Sequence, residues 1–147
     1  MEIINREARY NYFIIEEIEC GIVLTGTEIK AIRNSKMNLK DSYAVIRKNE
    51  VFLLNTHISE YKEGNIFNHD PRRTRKLLLH KSEILKLNNK VNQEGLTLIP
   101  LKLYFKKNKV KVLLGLCKGK KNFDKRETIK ERDLKKEASK LEKYNYK

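Results

Sequence analysis

Two apolar segments joined by a lysine-rich turn restrict the fold of this 147-residue chain more than any other stretch. In the second segment, Val110, Val112, Leu114 and Leu116 alternate with Lys109, Lys111, Leu113 and Gly115, the two-residue period of a strand buried on one face. In the first, Leu96–Phe105, the residues Ile99, Leu101, Leu103 and Phe105 fall on one side, and Lys106–Lys109 turns the chain back. Pro100 lacks a ladder donor, so it is expected at an edge or a bulge. Such an antiparallel pair is marginal alone in water, and the remaining segments have to complete a sheet around its apolar face.

The rest of the chain offers those strands. Tyr10–Ile18 is aromatic and β-branched, with Tyr12, Ile14 and Ile18 on one parity and Phe13, Ile15 and Glu17 on the other. Gly21 interrupts it before Ile22–Leu24 resumes extended structure. After a polar connector from Asn34 to Lys40, Ser42–Lys48 and Val51–Asn55 read as a hairpin closed around Asn49 and Glu50. Thr25 or Thr27 caps a short helix over Glu28–Arg33, in which Ile29 and Ile32 share a face. A longer helix follows Ser82 as N-cap, with Ile84, Leu87 and Val91 at helical spacing and Gly95 where a left-handed stop is wanted. About six short strands with two or three flanking helices predict a mainly β fold, a small antiparallel barrel of the oligonucleotide-binding type. A flat open sheet is the alternative.

Charge narrows the partner. Lys and Arg number 33 against 19 Asp and Glu, a net of +14. Self-repulsion on that scale destabilises a compact fold unless a polyanion offsets it, and nucleic acid is the leading candidate because phosphate neutralisation releases counterions. An anionic membrane surface is the weaker alternative. No apolar run approaches the roughly 18 residues of a membrane-spanning helix, and Met1–Glu7 lacks the pattern of a secretory signal. Cys20 and Cys117 lie far apart without a spaced histidine, which disfavours zinc and points to reduced thiols in the cytoplasm.

The charge is concentrated twice. Within Phe67–His80, Arg72, Arg73, Arg75 and Lys76 fill four of five positions and run into Leu77–Leu79, whose local pattern does not separate strand from coil. Leucines that reach the core anchor the cations, so this segment is expected to present guanidinium forks to a phosphate backbone from a fixed platform. Beyond Cys117 the composition changes, with twelve basic and six acidic residues in 118–147. Asp124 and Glu127 have the spacing of a capping box, yet the apolar stripe of Leu134, Ala138 and Leu141 is thin. Residues 1–118 are therefore read as a nucleic-acid-binding β domain, which the resemblance below makes RNA-binding. Residues 119–147 are read as a basic tail, disordered when free and helical on an anionic partner.

Signs of catalysis are sparse. His57, His69 and His80 could serve acid–base cleavage of RNA, but nothing in their spacing brings them together. The sequence holds no phosphate-binding glycine loop, no HExxH and no aspartate pair suited to magnesium. A non-enzymatic protein without cofactor or metal is expected. Tyr12, Tyr43, Tyr61 and Tyr104 could stack on unpaired bases, although strand cores hold most such tyrosines.

Several blocks resemble a known family: Asn5–Ala8, Gly21–Lys30 (GIVLTGTEIK), Leu39–Ala44 (LKDSYA), the Phe67–Lys81 stretch, and Gly119–Lys121 followed by Asp124–Arg126. Together they are similar, nearly end to end, to the small protein B family, the bacterial SsrA-binding proteins of trans-translation. The resemblance implies an adaptor that binds the tRNA-like domain of transfer-messenger RNA. It also implies travel with elongation factor Tu, through the shared RNA, to the small-subunit decoding region of stalled ribosomes, and a tail that enters the messenger channel. Carried over by motif, Glu28, Leu78 and Lys111 face RNA. The neighbouring Lys30, Arg33, Arg72, Arg73, Arg75, Lys76 and His80 complete the expected RNA-binding set, and Gly119, Lys120, Lys121, Phe123, Asp124, Lys125 and Arg126 form the ribosome-binding tail. Tyr10 and Asn11 stand where many relatives have a histidine and an acid, and Phe123 where relatives often have a histidine or another ring, which leaves stacking as the expected role of that ring. A general single-stranded RNA-binding module is the alternative.

Overall fold

A computed structural model describes residues 1–63, 68–121, 124–126, 129 and 132. Nine strands and three helices follow in the order β1 (Glu2–Ile4), α1 (Ala8–Asn11), β2 (Tyr12–Ile22), α2 (Gly26–Arg33), β3 (Met37–Asn38), β4 (Tyr43–Arg47), β5 (Glu50–Leu54), β6 (His57–Ile58), β7 (Arg75–Leu78), α3 (Lys81–Glu94), β8 (Thr97–Lys106) and β9 (Lys109–Gly119) among the described residues. The architecture is mainly antiparallel β. Seven strands pair in the order β1-β8-β4-β5-β7-β2-β9, and β8 also pairs with β9, so six of them form a partial ring. The expected β8–β9 hairpin is its longest ladder together with β2–β9, and a flat open sheet does not describe it. β3 and β6 form a separate two-stranded ribbon.

Turn chemistry closes both long hairpins. Lys107 and Asn108 have φ of 50° and 65°, and Lys48 and Asn49 have φ of 50° and 62°. Positive φ at both central residues gives a twist that matches the flanking strands. The second turn sits one residue earlier than the sequence pattern suggests, and Glu50 opens β5.

Inside the ring lies a core that includes Ile32, Val51, Leu53, Ile58, Leu77, Leu103, Val112, Leu114 and Leu116. The β9 alternation holds as read. That of β8 does not, because the register shifts between Pro100 and Lys102. Leu98 and Leu103 point into the main core, whereas Ile99 and Leu101 join Ala8 and Cys117 in a second cluster on the other face. The bulge expected at Pro100 is thus what splits the predicted stripe of Ile99, Leu101, Leu103 and Phe105. Gly115 lies against Leu101 and Cys117 of this second cluster. A Cβ there would lie 2.9 Å from Leu101 Cδ1, so the missing side chain is what lets Leu101 lie flat against β9.

Two local expectations shift, at the starts of β2 and α3, and two open ones are resolved, at Thr25 and at Leu77. Ala8–Asn11 forms a helical turn, so β2 starts at Tyr12 rather than Tyr10 and continues through Gly21 without interruption. Thr25, not Thr27, caps α2. The α3 N-cap is His80, whose amide donates to the Glu83 carboxylate at 3.0 Å, and Ser82 lies inside the first turn. Leu77 and Leu78 belong to a strand inserted between β5 and β2, with Leu77 buried and Leu78 exposed. Gly95 is the left-handed C-cap, at φ 63°.

Candidate nucleic-acid interface

The Arg72–Lys76 segment is assembled around one carboxylate. At the start of α2, the Glu28 amide donates to Thr25 Oγ1 at 3.3 Å, and Glu28 Oε1 accepts from the Thr25 amide at 2.8 Å. This reciprocal cap points the carboxylate back along the helix toward the loop before β7. Arg73 Nη2 donates to Oε1 and Arg75 Nε to Oε2, each at 2.6 Å. Arg75 also donates from Nη1 to the Thr56 carbonyl at 2.6 Å and from Nη2 to the Pro71 carbonyl at 3.1 Å. Burial pushes the Glu28 carboxyl up, but the hydrogen bonds from Arg73, the Thr25 amide and Arg75 outweigh it and hold the group below the usual carboxylate range.

His69 adds a second tie. Its Nε2 donates to the Ile58 carbonyl at 2.8 Å, and its Nδ1 lies 2.8 Å from the Thr27 hydroxyl. Thus α2, β6 and the loop before β7 are held by Glu28, Arg75 and His69 together.

This arrangement corrects the reading of four outward cations. The Glu28 and Arg75 side chains are both 0 % exposed. Their charges are used inside the protein, and neither side chain forms part of its surface. Arg73 is intermediate at 35 % exposure and also donates to the Val23 carbonyl at 3.2 Å. Arg72 and Lys76 are exposed, the latter 3.4 Å from Glu50. The β7 alternation explains the split: Arg75 and Leu77 point inward, Lys76 and Leu78 outward.

A row of outward residues crosses the sheet beside this platform. Gly21 on β2 pairs with Leu78 of β7 on one side and with Lys111 of β9 on the other. Leu78 is 51 % exposed, which removes the reading of it as a core residue. A Cβ on Gly21 would come within 3.2 Å of Leu78 Cβ, so glycine leaves an open strip of backbone between an apolar and a cationic side chain. Lys30 and Arg33, exposed on α2, sit over the Tyr61 and Phe105 rings at 5.3 and 4.8 Å. His80 is exposed at the start of α3. The structure therefore gathers Arg72, Arg73, Lys76, Leu78 and Lys111 on the surface of β7, β2 and β9 and the adjoining loop, and withdraws Glu28 and Arg75 beneath it.

The tail leaves from the other end of β2. Gly119 pairs with Tyr12, nine positions from Gly21 and so about 30 Å away at about 3.3 Å per residue. Lys120 donates its amide to the Asn11 carbonyl and its Nζ to the Arg9 carbonyl, both at 2.8 Å, and Nζ lies 4.8 Å from the centre of the Phe13 ring. Asp124 accepts from the Lys121 amide at 3.2 Å, so it caps backward to Lys121 in the described structure. Lys125 is 5.7 Å from the Tyr10 ring, and Arg126 is exposed. Phe123, Glu127 and most of the predicted tail helix lie outside the described residues. Sequence reasoning passed over Phe13 and Tyr10 as partners of the tail cations. The signal was the outward parity of Phe13, 45 % exposed on a strand.

The three histidines are held by unrelated partners: His57 pairs with Asn38 in the ribbon, His69 links Thr27 to Ile58, and His80 caps α3. No group of three metal-ligating side chains occurs among the described residues, and no described helix is long and apolar enough to cross a membrane.

The chain is similar to known proteins along most of its length. An SsrA-binding protein of Desulfitobacterium hafniense is 60% identical over 133 residues, covering 90% of this chain and 85% of the relative. One from Trichodesmium erythraeum is 62% identical over 88% of this chain and 83% of its own, and one from Enterococcus faecalis is 56% identical over 96% and 92%. A solved chain described as tmRNA–SmpB in the bacterial ribosome superposes with a TM-score of 0.69 at 49% identity, covering 82% of this chain and 85% of that one. The SmpB protein family profile matches residues 2–144, from the first strand through the tail, and this chain belongs to that family.

Proposed function

We propose that this protein is a non-enzymatic RNA-binding adaptor of trans-translation, which binds tmRNA (SsrA RNA) and acts with it on the ribosome. Kinship with SsrA-binding proteins along nearly the whole chain supports this reading. In the finer reading, the six-stranded ring is a barrel of the oligonucleotide-binding type, formed by residues 1–118, and holds the tRNA-like domain. Residues 119–147 are the tail that enters the messenger channel beside the decoding region. Elongation factor Tu joins through the shared RNA, and the complex works in the cytoplasm.

The observation that carries the RNA side is the Leu78–Gly21–Lys111 row next to the Glu28-pinned loop. Leu78 packs on a base or ribose, the open Gly21 backbone permits close approach, and Lys111, Lys76, Arg72 and Arg73 neutralise phosphates. Glu28 and Arg75 act as positioning residues that hold Arg73 and the loop before the RNA arrives.

Gel shifts against the tRNA-like domain, an ordinary tRNA and an unstructured strand, over a range of salt, test the proposal. Preference for the tRNA-like domain with a steep fall in salt is expected. Equal affinity for all three indicates a general single-strand binder instead. Truncation at Lys118 is expected to keep RNA binding and abolish ribosomal tagging; loss of both refutes the division of labour.

A further inference from the structure

β4 and β8 are joined by a single register pair, Ala44 with Leu98, and separate where Tyr43 and Ile99 would be next. The gap is walled by α1 and by the turn at Asp41, leaving a surface cavity of about 300 Å³. Its aromatic lining is Tyr12 and Tyr43, and its polar lining includes Asn5, Glu7, Asn11 and Asp41. Asn5 donates its side-chain amide to the Pro100 carbonyl at 2.9 Å, which leaves its oxygen as an acceptor. Among the described residues no lysine or arginine lines the cavity, in a chain with a net charge of +14.

We infer that this cavity is a second RNA subsite, for a guanine base turned out of its stack. Two carboxylates with no cation beside them among the described lining residues repel phosphate and call for a group rich in donors. Among the four bases, guanine alone offers two adjacent donors, N1–H and the N2 amino group, which match the two oxygens of one carboxylate. Adenine and cytosine place an acceptor beside their amino group, and uracil flanks its single donor with two carbonyls. The tyrosines supply ring faces for the base. The opening between β4 and β8 is large enough for one planar heterocycle. This subsite rests on the RNA-binding reading above and lies on a different part of the ring from the Leu78–Lys111 row.

The test is titration of the full-length protein with the four nucleoside 5′-monophosphates, followed by chemical shifts of Tyr12, Tyr43 and Asp41. GMP is expected to move these signals at concentrations at least about tenfold below those needed for AMP, CMP or UMP, the discrimination a bidentate contact supplies. Asp41→Asn keeps the local backbone, since asparagine tolerates the φ of 60° found here. Asp41→Asn combined with Glu7→Gln is expected to remove the GMP preference while the protein still binds tmRNA in gel shifts. Equal responses to all four nucleotides, no response, or a preference that survives the double variant overturns the subsite and leaves the tmRNA reading standing. Stronger shifts with arginine methyl ester than with GMP would also overturn it, and would assign the cavity to a protein side chain. If wild-type protein fails to bind tmRNA at all, the functional reading itself falls.

Discussion

Arg75 Nε lies 2.6 Å from Glu28 Oε2 with both side chains excluded from solvent, and this pair joins the start of α2 to the first residue of β7. Removing one partner strands the other charge in the interior, which costs about 3–5 kcal/mol. Arg75→Met is therefore expected to lower stability by that amount in urea denaturation. Glu28→Leu with Arg75→Leu is expected to cost less than the two single changes added together, because neither charge is left alone.

The same carboxylate sets an acid limit. Its pKa lies below the ordinary value of 4.5 in the folded protein, so its contribution to stability is complete above that value and is lost as pH falls through the folded pKa. Melting temperatures measured from pH 6 downward are expected to drop below about pH 4.5, and Glu28→Gln is expected to flatten that part of the profile. An unchanged profile in the variant would show that other carboxylates govern acid unfolding.

Leu78 separates contact from packing. At 51 % exposure its replacement by glutamine is expected to change stability by no more than about 0.5 kcal/mol. RNA affinity is expected to fall about tenfold, as lost base packing would dictate. Thermal melting beside a gel shift with the tRNA-like domain decides it.

Lys111→Met is expected to weaken RNA binding and to reduce the slope of log affinity against log salt by about one, the signature of one lost phosphate contact. A weakened complex with the original slope would assign Lys111 to a base or ribose instead.

Gly115→Ala places a methyl group 2.9 Å from Leu101 Cδ1 and 3.1 Å from Cys117 Sγ, deep between β8 and β9. Overpacking of this kind costs about 1–3 kcal/mol. Gly21→Ala meets only the exposed Leu78 and is expected to cost less stability while lowering RNA affinity. Denaturant midpoints of the two variants provide the comparison.

Burial pushes the Cys20 thiol up to about 12 and the Cys117 thiol up to about 11. Neither is expected to react with iodoacetamide at pH 8 in the native protein, and both are expected to react once denaturant unfolds it.

Much of the fold was legible because its signals are local. Val112, Leu114 and Leu116 alternate without interruption, and turn residues bracket both long hairpins. Gly95 stops α3 where a glycine relieves left-handed strain. Where a bulge intervened, local pattern failed: Leu101 and Leu103 look like one stripe in sequence but face different clusters, because one extra residue at Pro100 reverses the parity. The tail docking on Arg9, Asn11 and Phe13 was equally hidden, since it joins residues more than a hundred positions apart.

The sequence by itself determined the antiparallel β character, the strongly basic surface and the identity of the motifs, since alternation, charge and residue order are properties of the chain alone. Only the tertiary structure decided which arginine of the Arg72–Lys76 run serves the interior. Arg75 and Arg73 carry the same group two positions apart and both reach the Glu28 carboxylate; what separates them is the Thr56 and Pro71 carbonyls and the solvent exclusion that long-range pairing of β5, β7 and β2 brings to Arg75 alone.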